Sequence, residues 1–472
     1  MKFRNVIVAL AVSAAATFGP AYGQTTQQIM SDQDKPQAVA AEAAPTSTLI
    51  TGATSTVEDQ IPKDLFEYKK MAEAGFTQEF DKQSHRESSL AQMATALRFV
   101  PYQYSRMEEY YPSALIDKAP SSYDLEREIN PSLGNVTFKR VDGSTTQTLN
   151  EFINDPDIRL QAILMIHKGK VIFESYPGMP KEDRHLWNSC SKSTPGILTA
   201  ILATEGKIDI TKPVSYYIPE WKNTPWDDIS VHDNMNMTTG LNVQEEFSQD
   251  IANANSLADQ FISSIYRNGD YTPWVELLKG VQKEHAPGTV HKYSNISAQA
   301  QVKVVENAVG KPFRTILEER LFHPSGNADT ISIMVMDDGI AQGVGGISTT
   351  MEDFARYAFS YTPSFKRLTG RDGIPQAAID FMFENKIDPE IFAEGNLQTM
   401  GLADYGEDQP VSAGSLFDFF FEDGAFSKHG HHSQGIYIDP KRDFVGVYFS
   451  TQPTGSAENH AAAYMRAISK DL

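Results

Sequence analysis

Two β-hairpin signatures stand near opposite ends of this chain, and any fold must reconcile them. The first, "QAILMIHKGKVIFESY" at 161–176, sets two β-rich runs on either side of Lys168-Gly169. The second, "GIYIDPKRDFVGVYFS" at 435–450, turns through Asp439-Pro440. Runs of β-branched and aromatic residues bounded by turn residues are strand signals. Between the hairpins the chain reads as helix and loop, and it ends in a predicted helix within "SAENHAAAYMRAISKDL". The expectation is one sheet built from both chain ends around a helical middle, in the mixed α/β (α+β) class.

The N-terminus reads as an export signal spanning residues 1–23. Lys2 and Arg4 precede the apolar run "VIVALAVSAAATF", and "AYG" supplies small residues for cleavage before Gln24. Residues 24–57 are rich in Ala, Thr, Gln and Ser, hold no aromatic, and are expected to form a disordered leader or linker. The expected compartment is periplasmic or secreted. The single cysteine, Cys190, excludes an internal disulfide and a cysteine-built metal site. With no cysteine near the cleavage point, no lipid anchor is indicated. A formal net charge of −20 argues against nucleic acid and anionic membrane surfaces as partners. Helical patches with Phe66, Tyr68, Phe80, Tyr102 and Tyr104 suggest an N-terminal helical extension over 58–144 that packs on a catalytic domain, 145–472. A helical subdomain is expected at roughly 200–330. The oligomeric state is open.

The chemistry-bearing stretch is "HLWNSCSKSTPGILTAILATEGKI", 185–208. Ile197, Leu198, Ile201 and Leu202 share one helical face, and Gly206 is a stop signal. Pro195 fits a helix that begins only a few residues earlier. Ser189 therefore sits at or just before a helix N-terminus, with Lys192 on the same face. A helix N-terminus favours a developing alkoxide, and a buried lysine that has lost its proton can accept one from serine. On spacing alone, the same residues also read as a helix-capping serine beside a solvated lysine.

Two further segments bear on that choice. In "HAPGTVHKYSNISAQAQVKVVENAVGKPF", Tyr293 and Asn295 can project the same way from an irregular stretch. Tyr293 is then a proton relay and Asn295 a donor to a substrate carbonyl, or the pair is a buried tyrosine and a turn asparagine. In "FSKHGHHSQGIYIDP", Gly430 and Gly435 let substrate approach a strand edge whose N–H groups complete an oxyanion hole with that of Ser189. His429, His431 and His432 invite a zinc reading, but no third well-spaced ligand is evident, and neither metal nor cofactor is expected. Met235, Met237 and Cys190 read as packing residues.

The order S-x-x-K, Y-S-N, then a Gly/His-rich strand resembles the serine β-lactamase and penicillin-binding-protein superfamily, on its class C side. The flanks resemble it too: "LATEGKIDITKPVSYYIPEW", "VHDNMNMTTGLNVQEEF", "GVGGISTTMEDFARYAF" and "SQGIYIDPKRDFVGVYFS" recur in order from about 145 to 455. The match is closest to the nylon-oligomer (6-aminohexanoate-dimer) hydrolase and esterase branch. The resemblance implies a β-lactamase/transpeptidase-like fold, an antiparallel sheet flanked by helices with the site beside a helical subdomain. It implies Ser189 as acylated nucleophile, Lys192 as its proton partner, Tyr293 as general acid/base and Asn295 as a polar substrate contact. The third motif, Lys-Thr-Gly in β-lactamases, is not intact. Its nearest match is Lys428-His429-Gly430, with the oxyanion N–H falling on His431.

Two departures bear on substrate. Loss of Lys-Thr-Gly weakens the anchor for a β-lactam carboxylate. Phe247 stands where nylon-oligomer hydrolases carry a tyrosine that helps protonate an amine leaving group, so a small ester is the expected substrate over a linear amide. Alternatives are a D-alanyl carboxypeptidase, a penicillin-binding protein, a β-lactamase, or a relative that kept the fold without the chemistry. The absence of G-x-S-x-G argues against an α/β-hydrolase.

Overall fold

A computed structural model describes residues 67–88, 98–243, 256–267, 271–395, 404–452 and 461–472. All of them lie in one compact unit, Ser55–Leu472. The expected export signal, the leader at 24–57 and Phe247 lie outside the described residues.

In chain order the strands are β1 (Ser113–Ile116), β2 (Glu126–Arg127), β3 (Leu160–His167), β4 (Lys170–Ser175), β5 (His185–Leu186) and β6 (Ile331–Met334). They continue as β7 (Ile347–Thr349), β8 (Ser412–Gly414), β9 (Phe417–Phe420), β10 (Phe426–Gly430), β11 (Gln434–Asp439) and β12 (Phe444–Ser450). The larger sheet has the order β2-β4-β3-β12-β11-β10-β9-β8 and is antiparallel except where β2 meets β4. β3 and β12 lie side by side at its centre, so the sheet does draw on both hairpins read from the sequence. Lys168 and Gly169 carry φ of 49° and 84°, the left-handed pair that a tight hairpin turn demands.

The strands alternate with a period of two between two apolar layers. Ala162, Leu164, Ile166, Val445, Val447 and Phe449 face one core. Ile163, Met165, Tyr437, Phe444 and Tyr448 face the other. Both layers are covered, which is why these strands read as continuous apolar runs. Four helices matter for the site and its support: α1 (Ser193–Thr204), α2 (Asn295–Val309), α3 (Met351–Phe359) and α4 (Ala461–Asp471). α3 packs on β3 and β12, and α4 covers β11 and β12.

A second sheet, β1-β6-β7-β5, departs from the single-sheet expectation. Its strands are two to four residues long, too short for a period to register in the sequence. The segment before residue 145 likewise differs from a purely helical extension. After helices at Glu67–Ala74, Gln78–Arg86 and Val100–Ser105 it supplies β1 and β2, one to each sheet. Among the described residues, the chain between β5 and β6 holds helices and no named strand.

Candidate active site

Residues 185–202 are buried throughout with one exception, Ser189, which is half-buried. Asn188 at φ 48° begins a tight turn, Asn188–Lys192, that runs straight into α1. Asparagine tolerates the left-handed conformation better than other side-chain-bearing residues. The turn is fixed on both sides. Trp187 is fully buried, stacks on Phe354 at 4.1 Å and donates its indole N–H to Thr349 Oγ1 at 2.8 Å. Asn188 Nδ2 donates to the His431 carbonyl at 2.8 Å, and Ser191 Oγ accepts from the Ile347 N–H at 3.2 Å. The Gly/Ser/Thr-rich segment at 343–350 is therefore part of the cradle under the turn.

Lys192 is fully buried. Its Nζ donates to Ser189 Oγ at 2.8 Å and to the Val344 carbonyl at 2.9 Å, and it stands 5.1 Å from the centre of the Tyr293 ring. Tyr293 precedes Ser294, which caps α2 by accepting from the Ser297 N–H. Met237 holds the backbone on both sides of Tyr293: its carbonyl accepts from Lys292 N–H at 3.0 Å, and its sulfur accepts from Ser294 N–H at 3.4 Å. The Gly240 carbonyl accepts from the N–H groups of Glu284 and His285, and that of Thr238 from Gly288 N–H. The "MTTG" stretch is thus the clamp that presents Tyr293. Met237 packs, as expected, and also positions the phenol.

Also beside the ring is Lys428 of β10, which the sequence reading quoted without placing it in the site. Its Nζ is also 5.1 Å from the Tyr293 ring centre and 3.4 Å from Tyr293 Oη. Asp418 of β9 binds this ammonium at 2.7 Å, and both side chains are buried. Asp418 also accepts the His429 N–H at 2.8 Å. Burial alone would raise the Asp418 carboxyl, but the charge of Lys428 and the contacts with His429 and Lys428 hold it down at about 2. The turn at Asp423-Gly424 pairs Phe420 with Phe426 and Phe419 with Ser427. One step further along that register sets Asp418 across from Lys428.

The remaining expected site residues divide. Asn295 is buried as the first residue of α2, two positions from Tyr293. His431 is exposed, with its backbone against the Asn188–Lys192 turn. Gly430 lies beneath that turn, where a Cβ would meet the Trp187 carbonyl. The His429 side chain points elsewhere. Its Nε2 is 3.2 Å from Tyr405 Oη and its Nδ1 3.5 Å from Asp418, because alternation along β10 sends it to the face opposite Lys428. Burial lowers its pKa, against the pull of Asp418. Gly435, expected to admit substrate, is instead required by packing, since a Cβ there would strike the ring of Tyr448. Cys190 is buried with its thiol pushed up by burial, as suits a packing residue.

A hydroxyl on a tight turn, an amine in contact with it and a phenol beside both are the parts of a nucleophile and its proton relay. The model for the family described as Beta-lactamase matches residues 147–470. The chain is 24% identical over 361 residues to a 6-aminohexanoate-dimer hydrolase of Paenarthrobacter ureafaciens, covering 74% of this chain and 85% of that protein. It is 28% identical over 132 residues to a protein of Salmonella agona described as a D-alanyl-D-alanine carboxypeptidase, covering 28% of this chain and 29% of that protein. Among solved structures, one from Bacillus anthracis described as a 6-aminohexanoate-dimer hydrolase superposes with a TM-score of 0.62 at 22% identity. It covers 79% of this chain and 94% of that one, and shares the fold.

Proposed function

This chain belongs to the beta-lactamase family of hydrolases, and from that premise we propose that it is an exported serine hydrolase of small carboxylic esters and linear amides, with esters favoured. The observation that carries the reading is the 2.8 Å contact between the fully buried Lys192 amine and Ser189 Oγ, with Tyr293 beside it. Ser189 passes its proton to the unprotonated Lys192 amine as Oγ bonds the substrate carbonyl carbon. Backbone N–H groups of Ser189 and His431 hold the oxyanion. Collapse breaks the acyl C–O bond, and the departing alkoxide takes a proton relayed through Tyr293. Water then attacks the acyl carbon, the bond to Ser189 Oγ breaks as the water proton reaches Oγ through the same groups, and the acid leaves.

The ester preference rests on Phe247, which has no proton to give an amine leaving group. Export rests on the first 23 residues, and N-terminal sequencing of material from the periplasm or medium would test it. A short-chain p-nitrophenyl ester assayed beside an aminohexanoate dimer decides the preference, and a faster amide rate overturns it. Intact-mass detection of an acyl adduct, absent in Ser189→Ala, tests the mechanism itself. A carboxypeptidase activity, as described for the Salmonella relative, is a second reading. It rests on the 132 residues matched to that relative, and stable labelling by a fluorescent penicillin would support it.

A further inference from the structure

We propose that Asp418 sets the charge class of the substrate: by holding Lys428 in an internal ion pair, it removes the cation that an acyl group bearing a carboxylate would need beside Tyr293. The inference rests on the hydrolase reading above and narrows it to acyl groups that are uncharged at that end.

An ammonium has three N–H donors and no acceptor. All three on Lys428 are engaged inside the protein, with Asp418 Oδ1 at 2.7 Å, the His429 carbonyl at 2.9 Å and Tyr293 Oη at 3.4 Å. The second oxygen of Asp418 is held by the His429 N–H. The pair therefore carries no net charge and offers no unused donor. A substrate carboxylate arriving here would bring a second negative charge next to a buried one, and breaking the existing pair would strand Asp418. Asp418 sits in "FDFFF", where each neighbouring side chain is aromatic and buried. A carboxylate is costly in such a strand, and the ammonium across the register is what compensates it. Asp418 acts through Lys428 and is a specificity-setting residue that does not itself touch the reacting atoms.

The test uses the mature full-length enzyme and two esters that differ only in charge, mono-p-nitrophenyl succinate and its methyl ester. Wild type should hydrolyse the neutral ester with the higher kcat/KM, at a ratio indifferent to added NaCl. Asp418→Asn leaves the ammonium uncompensated and should move the ratio toward the anionic ester by about tenfold, with the gain screened by salt. Adding Lys428→Met should return the ratio to the wild-type value. A purely structural role for Asp418 would depress both esters alike and leave the ratio where it was. A ratio in Asp418→Asn within twofold of wild type, or a wild type that already prefers the anionic ester, overturns the proposal. Should Asp418→Asn fail to fold, the apolar pair Asp418→Leu/Lys428→Met decides. It should keep the wild-type ratio, and a fall in anionic turnover alone would show that Lys428 had been binding carboxylate. Loss of both hydrolyses in wild type would remove the Ser189 reading and this proposal together, whereas an unmoved ratio removes only the proposal.

Discussion

Two lysines stand 5.1 Å from the centre of the same phenol ring, yet the protein gives them different partners. Lys192, on the Asn188–Lys192 turn, donates to the Ser189 hydroxyl and the Val344 carbonyl. Lys428, on the β9–β10 hairpin, touches a buried carboxylate. A hydroxyl and a carbonyl offer a buried amine hydrogen bonds, whereas a carboxylate compensates its charge. The turn thus sets its amine against the Ser189 hydroxyl, and the hairpin sets its own against a counter-ion.

The largest expected effects fall on the turn. Ser189→Ala should reduce ester hydrolysis to background and abolish the acyl adduct. Lys192→Met should lower kcat by about 10²–10⁴-fold, the usual worth of a positioned general base, with a thermal midpoint near that of wild type. The Ser189 hydroxyl and the Val344 carbonyl each lose about 1 kcal/mol of hydrogen bonding. If Lys192→Met lowered the thermal midpoint while keeping the wild-type kcat per folded molecule, the contrast between the lysines would be wrong. Tyr293→Phe should sit at the low end of the same range, measured as kcat at saturating ester.

How much of this was legible in the sequence follows the range of the interactions. Both central hairpins were readable because strand period and turn chemistry are local, down to the Lys168-Gly169 turn. The helix-start placement of Ser189 is local as well, whereas α1 is buried on every side from Ser193 to Leu202 and does not show the single apolar face its spacing suggested. Asp418 was missed because a lone acid inside five aromatic-rich positions looks like a loop residue until the hairpin register is drawn. Counting outward from Asp423-Gly424 reaches the Asp418–Lys428 pair, so the signal was present in the sequence. His429 was grouped with the site through its neighbours in the motif, but alternation along β10 turns it to the far face. The role of Met237 depends on a contact with residues 292–294, which no local pattern encodes.

The next effects, in stability, fall on the hairpin. Lys428→Met strands Asp418 in an apolar strand and should cost about 3–5 kcal/mol in a urea titration, several times the cost of Lys192→Met. Replacing both members, Asp418→Leu with Lys428→Met, should recover most of that loss, because two apolar side chains need no compensation. Equal destabilisation by the two lysine variants would break the comparison. The same pair predicts an acid limb. The Asp418 carboxyl lies at about 2 when folded and about 3.9 when unfolded. Its stabilisation is therefore complete above the unfolded value and fades as pH falls through the folded one. Between pH 5 and pH 2 wild type should lose about 2 kcal/mol more than Asp418→Asn, followed by urea midpoints at each pH.

The smallest effect tests the joint between the two regions. Asn188 belongs to the turn, its side chain bonds the His431 carbonyl just past β10, and its φ is positive. Asn188→Gly keeps the backbone conformation accessible and removes the bond, so it should cost about 1 kcal/mol. Asn188→Ala should cost more, since alanine resists the left-handed region by about 1–2 kcal/mol. If the bond serves only stability, both variants keep the wild-type kcat in proportion to folded protein. If it also holds the His431 N–H over the carbonyl oxygen of the substrate, Asn188→Gly lowers kcat several-fold while its melting curve barely moves. A bond of about 1 kcal/mol in the ground state is then worth more at the transition state, where a displaced donor is felt most.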